Sequence, residues 1–359
     1  MMKKLNIAII GQGRSGRDIH GKFFKSENNK TYTVKYVVDF EEERRKRAEA
    51  EYPGCIALSD YKELFDKDDI DLVLNASFSD MHYPITKDLL EHGFNVVVEK
   101  PFARNYYECT DLIETAERNG VMLSVFQQTF FAPHYQKSLE VLKSGVLGDV
   151  EQISIRYNGF ARRWDWQTVQ ERLAGCVYNT GPHPIGMALG FLDFDENARV
   201  VYSRLGLALA SGDAEDYAKI LITAPGKPVV DIEISPIDAY PAYNTKIQGS
   251  KGTYLTTGST YKLKYIVDGE NVSRPLIIEP LRNASGDPVF CSEKLITHEE
   301  TGDIKGNAFN VAVEKYYSMV YDRITDGKLL ILDLWDMAKI VSVMEKVHAD
   351  NPMPKTVKL

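Results

Sequence analysis

Short, uninterrupted runs of apolar residues alternate with amphipathic stretches along the first third of the chain. Such runs are typical of strands buried on both faces of a parallel sheet, and they lie at residues 5–10, 33–38, 71–76, 94–98 and 121–126. The stretches between them predict helices at residues 15–25, 41–52, 61–65, 82–92 and 106–119. Strands that alternate with helices predict an α/β fold with a doubly wound parallel sheet, the Rossmann arrangement, over residues 1–127.

The pattern changes after about residue 127. Apolar and polar residues now alternate, which indicates mostly antiparallel strands with one covered face, at residues 150–157, 199–209, 217–223, 229–234, 243–248 and 261–267. Helical spacing recurs at residues 133–144, 184–192, 308–326 and 334–349. We therefore predict a second α/β domain over residues 128–359.

Charge and composition exclude several classes of protein. The chain of 359 residues has a formal net charge of −8 and no basic stripe, which disfavours a nucleic-acid partner. Its four cysteines are scattered without a C-x-x-C pair, so we expect no disulfide framework and no metal site, in keeping with a cytoplasmic location. No apolar run approaches the roughly 18 residues of a membrane span, and the first strand begins too early for a signal peptide.

A glycine-rich turn follows the first predicted strand. Residues 11–16 have the sequence GQGRSG, the G-x-G-x-x-G pattern of dinucleotide-binding sheets. Its three glycines permit, in turn, a tight bend, close approach of backbone to a pyrophosphate, and close packing of helix on strand. The helix N-terminus then presents free N–H groups to phosphate. We assign the whole turn to cofactor binding, namely Gly11, Gln12, Gly13, Arg14, Ser15 and Gly16.

An acidic residue ends the second predicted strand. Asp39 lies 23 residues after Gly16, close to the spacing expected for a carboxylate that accepts the ribose hydroxyls. Such a carboxylate would repel a 2′-phosphate, so we predict NAD in preference to NADP. Arg44 and Arg45 are the competing signal, because a guanidinium near this position would favour NADP.

Polar residues also follow the third and fourth predicted strands. Ser77 and His82 come after the third, where the carboxyl ends of a parallel sheet collect ligands, and we expect both to lie near the cofactor. The alternative for His82 is a helix-start histidine that hydrogen-bonds only to backbone. Glu99 and Lys100 end the fourth strand, and Lys100 beside a cofactor would stabilise a developing alkoxide. The alternative for Lys100 is a lysine that merely pairs with a nearby acid such as Glu99.

A constrained turn in the second domain carries a further candidate. Tyr178 and Asn179 lead through Gly181-Pro182 to His183, at the start of the apolar helix. His183 is the best acid–base candidate in the chain because the pKa of histidine lies near neutrality.

These motifs together resemble the glucose–fructose oxidoreductase / inositol dehydrogenase / MocA-like (Gfo/Idh/MocA) family, over nearly the whole chain. The resemblance rests on the glycine turn and on Glu99-Lys100-Pro101. It implies a Rossmann domain followed by a domain with a large open sheet, which often forms a dimer or tetramer interface. It also implies oxidation or reduction of a hydroxyl or carbonyl on sugars, inositols and related compounds. The catalytic lysine, aspartate and histidine of the family correspond to Lys100, Asn179 and His183.

Two departures from the family pattern matter. The family's D-x-G-x-H-x-x-D segment has Asn179 and Gly186 in place of its two aspartates. Because an amide orients a hydroxyl but cannot take its proton, His183 would carry proton transfer, with Lys100 or Tyr178 assisting. In addition, residues 127–131 lack the arginine common in this segment of the family, which favours a neutral substrate.

A tryptophan-rich loop follows the first strand of the second domain. In the fold that the resemblance implies, this loop borders the active cleft. Arg163, Trp164 and Trp166 combine aromatic faces with a polar group, and such a set is suited to sugar binding. We expect Tyr178 to bind the substrate as well. The alternative is an aromatic contact in a dimer interface or simply a packed loop.

The sequence thus predicts an NAD(P)-dependent oxidoreductase that acts on CH–OH groups of a sugar, inositol or related polyol. We expect a small-molecule substrate, no nucleic acid, no membrane, and a homodimer or homotetramer formed through the C-terminal sheet. Two alternatives stay open: an NAD-dependent glycosidase of the same fold, and a catalytically impaired protein that binds a nucleotide or sugar.

Overall fold

The computed structural model describes residues 3–305 and 308–358. Its first sheet has six parallel strands in the order β3-β2-β1-β4-β5-β6, which confirms the predicted doubly wound arrangement. The strands are β1 (Leu5–Ile10), β2 (Tyr32–Val38), β3 (Ile56–Leu58), β4 (Leu72–Asn75), β5 (Val96–Glu99) and β6 (Leu123–Phe126). Every residue of β4, β5 and β6 is buried, as the apolar runs predict. The three-residue edge strand β3 was not predicted.

The helices of this domain differ from the sequence prediction mainly at the glycine turn. In place of one helix at residues 15–25, the structure has a π-helix, Arg14–His20, that continues into α1 (Gly21–Phe24). In this segment Gly21 N donates to Gly16 O, five residues back. The other helices are α2 (Glu42–Glu51), α3 (His82–Glu91), α4 (Tyr106–Asn119) and the 3₁₀ turns Tyr61–Leu64 and Ser79–Met81.

The second sheet has eight strands in the order β14-β13-β12-β11-β7-β10-β9-β8. They are β7 (Val150–Asn158), β8 (Arg199–Gly206), β9 (Tyr217–Thr223), β10 (Val229–Ser235), β11 (Thr245–Gly249), β12 (Gly252–Thr256), β13 (Thr260–Tyr265) and β14 (His298–Asp303). Strands β7 and β10 pair in parallel and the other pairs are antiparallel. The prediction of a mostly antiparallel sheet is confirmed, although it missed β12 and β14.

One face of this sheet is covered and the other carries charge. Ile220, Ile232 and Ile155 are buried on the covered face, where α7 packs on β7 and β10. On the opposite face, Asp231 forms an ion pair with Lys219 at 2.6 Å and accepts a hydrogen bond from Arg156 at 2.7 Å. The helices of this half are α5 (Pro133–Lys143), α6 (Cys176–Asn179), α7 (Pro182–Phe191), α8 (Ala308–Asp326) and α9 (Leu334–Asp350), with 3₁₀ turns at Gln128–Phe131, Trp166–Thr168 and Gln170–Arg172.

The last two helices return to the first sheet. Helix α9 packs on α4, and Tyr317 of α8 stacks on Phe23 with ring centroids 4.9 Å apart. The hydroxyls of Tyr316 and Ser124 are 2.7 Å apart. The two halves therefore share a continuous core, and the boundary near residue 127 stays a prediction.

Across the part of the chain that the structure describes, no helix has both the length and the apolar character that crossing a bilayer requires.

Candidate active site

A cleft of about 480 Å³ lies where the two halves of the molecule meet. Its floor is the carboxyl edge of the first sheet, and the segment 163–167 of the second domain forms part of its wall. A cavity of this size is in the range of small-molecule and cofactor sites. It gathers many of the residues that the sequence singles out, namely Gly11, Gly13, Arg14, Ser15, Asp39, Ser77, His82, Glu99, Lys100, Arg163, Trp166 and Asn179.

The glycine turn has the geometry that a bound pyrophosphate requires. Gly11 has φ +92°, and a Cβ there would lie 2.4 Å from Ala76 O. A Cβ on Gly16 would lie 1.8 Å from Gly11 O, so these two glycines permit the backbone packing itself. Gly13 is different, because a Cβ there would meet no protein atom within 4 Å although the residue lines the cleft. Its open side therefore leaves backbone N–H groups accessible to a ligand.

Asp39 holds the turn in place at the end of β2. Its carboxylate accepts from Gln12 N at 2.7 Å and from Glu41 N at 2.9 Å. Arg44 lies 3.6 Å from the same carboxylate and also lines the cleft. Gln12 is buried behind the cleft wall, so its side chain does not reach the cavity. Gly16 is buried there as well.

His82 shows features of both roles that the sequence left open, because it lines the cleft and also hydrogen-bonds to backbone. It is buried at the start of α3 and lines the cleft. Its Nδ1 lies 2.7 Å from Pro101 O, and because a carbonyl only accepts, Nδ1 carries the proton. Burial lowers the pKa of His82, which keeps the ring neutral beside the cofactor cavity.

Behind the cleft, Glu99 is part of a buried polar chain. Its Oε1 lies 2.9 Å from His20 Nε2, and His20 Nδ1 lies 2.6 Å from the Tyr317 hydroxyl. Its Oε2 accepts from Lys100 N at 2.9 Å. Burial by itself would raise the pKa of Glu99, but the hydrogen bond and charge of His20 outweigh it and lower that pKa to about 2. Glu99 is thus a fixed negative charge next to Lys100.

Lys100 extends from β5 to the second domain. Its Nζ donates to the backbone carbonyl of Asn179 at 2.9 Å, so one hydrogen bond bridges the cleft between the two halves. Burial lowers the pKa of Lys100, Glu99 opposes the shift, and the charges of Arg14 and Arg163 add to it. The ammonium is therefore easier to deprotonate than that of an ordinary lysine.

His183 is oriented by a residue whose role the sequence analysis missed. Thr129, in the 3₁₀ turn after β6, places its hydroxyl 2.6 Å from His183 Nδ1. This contact fixes the ring, and His183 is half-buried and is not among the residues that line the cleft. Burial and the nearby charge of Lys100 lower the pKa of His183 to about 3. The imidazole is therefore neutral, and it is close enough to Lys100 for the two groups to interact electrostatically.

Gly186 stands where the family segment has its second aspartate, and other side chains occupy the space that a side chain at this position would need. A Cβ there would lie 3.1 Å from Gln127 Nε2 and 3.1 Å from Ile340 Cδ1. Gln127 is buried, donates to Pro182 O at 2.5 Å, and its Oε1 has no hydrogen-bond partner among the described residues. Gln127 and Thr129 of the segment 127–131 thus support the turn that carries His183.

A loop of the second domain crosses to the first beside the cleft. The ring of Trp166 meets Phe78 edge-on with centroids 4.9 Å apart. Arg172 pairs with Asp80 at 3.2 Å, and its guanidinium lies 4.9 Å from the centroid of Phe78. These residues form an interdomain contact over the cleft edge, a role that the sequence did not reveal for Phe78, Asp80 or Arg172.

Two residues expected to bind substrate lie elsewhere. Trp164 is 77% exposed and does not line the cleft, whereas Trp166 does. Tyr178 donates to Arg104 O at 3.1 Å and stacks on His348 with centroids 4.6 Å apart. Burial raises the pKa of the Tyr178 hydroxyl, so it stays protonated outside the cleft. Local sequence could not distinguish Trp164 from Trp166, because which of two nearby side chains turns inward depends on tertiary contacts.

The fold and the cleft define a nicotinamide-dinucleotide-binding oxidoreductase. Residues 5–127 match a family described as an oxidoreductase family with an NAD-binding Rossmann fold, and residues 135–255 match the GFO/IDH/MocA C-terminal domain. The chain belongs to the Gfo/Idh/MocA family, as the sequence predicts, and its first domain is an NAD-binding Rossmann domain.

Relatives of known sequence and structure extend over most of the chain. An uncharacterized oxidoreductase YdgJ of Escherichia coli K12 is 23% identical over 76% of this chain and 77% of its own length. The scyllo-inositol 2-dehydrogenase (NADP(+)) IolW of Bacillus subtilis is 22% identical over 99% and 96%. The crystal structure of an NAD-binding protein from Listeria innocua, 19% identical, superposes with a TM-score of 0.81 over 98% of each chain and shares the fold.

Proposed function

We propose that this oxidoreductase transfers a hydride between nicotinamide and a hydroxyl-bearing or carbonyl carbon of a sugar, inositol or related polyol. The observation that carries the proposal is the position of Lys100 in the cleft, where its Nζ is bonded to Asn179 O and its charge adds to the effect of burial in lowering the pKa of His183. The similarity to an inositol dehydrogenase, although at 22% identity, supports the substrate class.

The residues that would hold the cofactor are those of the glycine turn, with Asp39 at the adenosine ribose and Ser77, His82 and Glu99 along the floor of the cleft. When bound, NAD supplies the carbon that accepts or donates the hydride. Asp39 favours the ribose hydroxyls of NAD, while Arg44 beside it would tolerate a 2′-phosphate.

In this proposal Lys100 and His183 have different roles at the substrate oxygen. The Lys100 ammonium donates a hydrogen bond to the oxygen and stabilises it as negative charge develops during oxidation. His183 is neutral and exchanges the hydroxyl proton through Nε2, while its Nδ1 is held 2.6 Å from the Thr129 hydroxyl. Asn179 cannot exchange a proton, so its amide orients the substrate or the histidine.

The far wall of the cleft suits a substrate rich in hydroxyl groups. Trp166 offers an aromatic face, and Arg163 and Gln167 line the cavity beside it. Arg163 is already paired with Asp165 at 2.8 Å, so its charge is compensated. We infer that this wall makes ring contacts and neutral hydrogen bonds with a polyol.

The turnover experiment uses the purified full chain, a panel of sugars, inositols and polyols, and either NAD or NADP, followed at 340 nm with product analysis. We expect reduced cofactor to form in step with an oxidised polyol, with a lower KM for NAD than for NADP. Release of a sugar without net NADH would instead favour an NAD-dependent glycosidase. Binding of cofactor and sugar without any product would favour the catalytically impaired binding protein and overturn the proposal.

We also infer a homodimer or homotetramer that forms through the C-terminal sheet, in a cytoplasmic protein. The long excursion 268–297 leaves the sheet between β13 and β14 and exposes apolar side chains, a feature typical of interaction surfaces. The most exposed are Val272, Leu276, Ile278 and Phe290.

Light scattering on a size-exclusion column tests this association. The wild-type mass is expected to be two or four times that of the 40.6 kDa chain. The triple variant Leu276→Ser, Ile278→Ser, Phe290→Ser is expected to have a smaller mass at the same concentration. Tyr240→Ser, which changes an exposed aromatic residue outside the excursion, is the control and should leave the mass unchanged. A monomeric wild type contradicts the inference.

A further inference from the structure

A buried carboxylate lies directly behind the short helix that carries Asn179. Glu215, between β8 and β9, is 3% exposed. Its Oε1 accepts from Val177 N at 2.9 Å, and its backbone carbonyl accepts from Cys176 N at 2.7 Å. Both donors lie in the first turn of α6, whose last residue is Asn179. Glu215 therefore fixes the start of the helix whose final carbonyl binds Lys100.

The helix and the carboxylate are packed without intervening side chains. Gly175, just before α6, has φ +104°, and a Cβ there would lie 2.4 Å from Glu215 Oε1. A residue with a side chain at this position would displace the carboxylate, whatever its conformation. Glycine is thus required here for the contact between Glu215 and α6.

A histidine from the last helix completes the cluster, and its hydrogen bonds reveal its protonation state. His348 Nδ1 lies 2.8 Å from Met344 O, so Nδ1 must carry a proton. Its Nε2 lies 3.3 Å from Glu215 Oε1. A neutral ring with its proton on Nδ1 would direct a lone pair at the carboxylate. The ion pair with Glu215 is attractive when His348 is an imidazolium, because the charged ring carries a proton on Nε2 as well as on Nδ1.

The same ring contacts α6 from a second side. His348 stacks on Tyr178 at an interplanar angle of 16° with centroids 4.6 Å apart, and a charged ring there gains a cation–π contact. Tyr178 precedes Asn179, and its hydroxyl is bonded to Arg104 O, close after the strand that carries Lys100. His348 thus connects α9 to both ends of α6.

We propose that Glu215 and His348 are positioning residues, and that protonation of His348 holds α6 so that the Asn179 carbonyl remains on Lys100 Nζ. The expected effect on kcat/KM rests on the function proposed above, whereas the expected effect on the position of α6 does not. The titratable and charged groups around this cluster are Glu215 and Asp216 before β9, Cys176 and Tyr178 of α6, Arg104 and Glu108 near the start of α4, and Glu345 of α9.

The direction of the pH dependence follows from the pKa of His348. Burial by itself would lower this pKa, but the hydrogen bond and charge of Glu215 outweigh burial and raise it above 6.5. The stabilisation is therefore fully present below pH 6.5 and is lost as pH rises through the raised value. Above that value α6 is free to shift, and Lys100 loses its carbonyl partner for part of the time.

The first test titrates His348 in the full chain by ¹⁵N-imidazole NMR. In wild type we expect a pKa above 6.5 and a proton on Nδ1 in the neutral form. In Glu215→Gln, which keeps the shape but removes the charge, we expect the pKa to fall by about one unit. A pKa that is the same in both proteins would overturn the ion pair.

The second test measures the accessibility of Lys100 by trace acetylation with acetic anhydride and mass spectrometry between pH 6 and pH 9. Exposed Lys143 of α5 is the internal reference. We expect the ratio of Lys100 to Lys143 labelling to rise about tenfold as His348 loses its proton. In His348→Gln the ratio should be high already at pH 6. Coincident ratios in the two proteins at every pH would refute the positioning role, even if Glu215→Gln does not fold.

Kinetics separate this proposal from the proposed function. If a polyol is turned over, kcat/KM of wild type should fall as pH rises above 6.5 through the raised pKa of His348, and His348→Gln should lack this fall. If wild type and His348→Gln both turn over substrate and show identical labelling of Lys100, the oxidoreductase function is supported and the positioning role is refuted. If there is no turnover but the labelling of Lys100 differs between the two proteins as expected, the positioning role is supported and the proposed function is refuted. The two outcomes are distinguishable because neither labelling nor NMR depends on activity.

Discussion

Replacing Lys100 with methionine is expected to lower kcat/KM by about 10²- to 10³-fold, because the substrate oxygen loses its charged hydrogen-bond donor. Methionine keeps much of the length and apolar stem of the side chain, so the fold should survive. The Nζ bond to Asn179 O is lost as well, which removes the hydrogen bond across the cleft. The measurement is steady-state kinetics with the substrate found in the polyol panel, together with cofactor affinity by fluorescence titration.

The control for this variant is Lys143→Met, which changes an exposed lysine on α5. It should leave kcat/KM within about twofold of wild type, since surface substitutions are usually small in effect. An activity of Lys100→Met within tenfold of wild type would exclude Lys100 from the reacting centre, because that is under about 1.4 kcal/mol of barrier.

The pH profile provides an independent readout of Lys100. Burial, with Arg14 and Arg163, lowers the pKa of Lys100 below the ordinary 10.5. The ammonium is therefore present at neutral pH and is lost as pH rises through that lowered value. In the reductive direction, where the ammonium stabilises the product oxygen, kcat/KM should decline on the alkaline side before an ordinary lysine would titrate. This limb should be missing from Lys100→Met.

His183→Ala is expected to cost about 10²- to 10⁴-fold in kcat, the usual contribution of a positioned acid–base group. Thr129→Val removes only the hydroxyl 2.6 Å from Nδ1, and we expect a smaller loss of about tenfold with little change in KM. Because the pKa of His183 is about 3, the wild-type profile should show no ionisation of His183 near pH 6.5. Any acid limb at pH 6.5 that disappears in His183→Ala would contradict the neutral imidazole described above.

A matched control exists for the histidine as well. His92 is an exposed histidine at the end of α3 that stacks on Phe65 and does not line the cleft. His92→Ala should leave kcat unchanged. A loss in His92→Ala equal to that in His183→Ala would mean that the assay reports stability instead of catalysis.

Features set by local chemistry could be predicted from the sequence. The glycine turn, Asp39 and Lys100 follow from strand ends and turn geometry, and all three line the cleft. Two of the three strands that were missed carry little hydrophobic signal: β3 has three residues, and β14 is an edge strand that is mostly exposed, with a polar sequence. A hydrophobic pattern cannot indicate a strand that buries almost nothing.

Features set by contacts between distant segments could not be predicted. Thr129 meets His183 across 54 residues of sequence, and Glu215 meets Val177 across 38. Neither belongs to a motif, and a threonine or glutamate in a loop gives no local signal. The choice of Trp166 over Trp164 at the cleft depends on Phe78, which belongs to the other domain. Gly186 is a clearer case, since its meaning depends on Gln127 and Ile340 occupying the space a side chain would need.

The return of α8 to the first sheet has a consequence for how the chain is made. Tyr316 and Tyr317 cover Phe126 and His20, and the Tyr32 hydroxyl donates to Tyr317 O at 2.8 Å. The six strands are complete once residue 126 has been synthesised, yet their core closes only when residues 308–326 leave the ribosome. Domains usually fold as units in order of synthesis. Here the nascent nucleotide-binding half must wait, with aromatic surface uncovered, while about half of the polypeptide is still being translated.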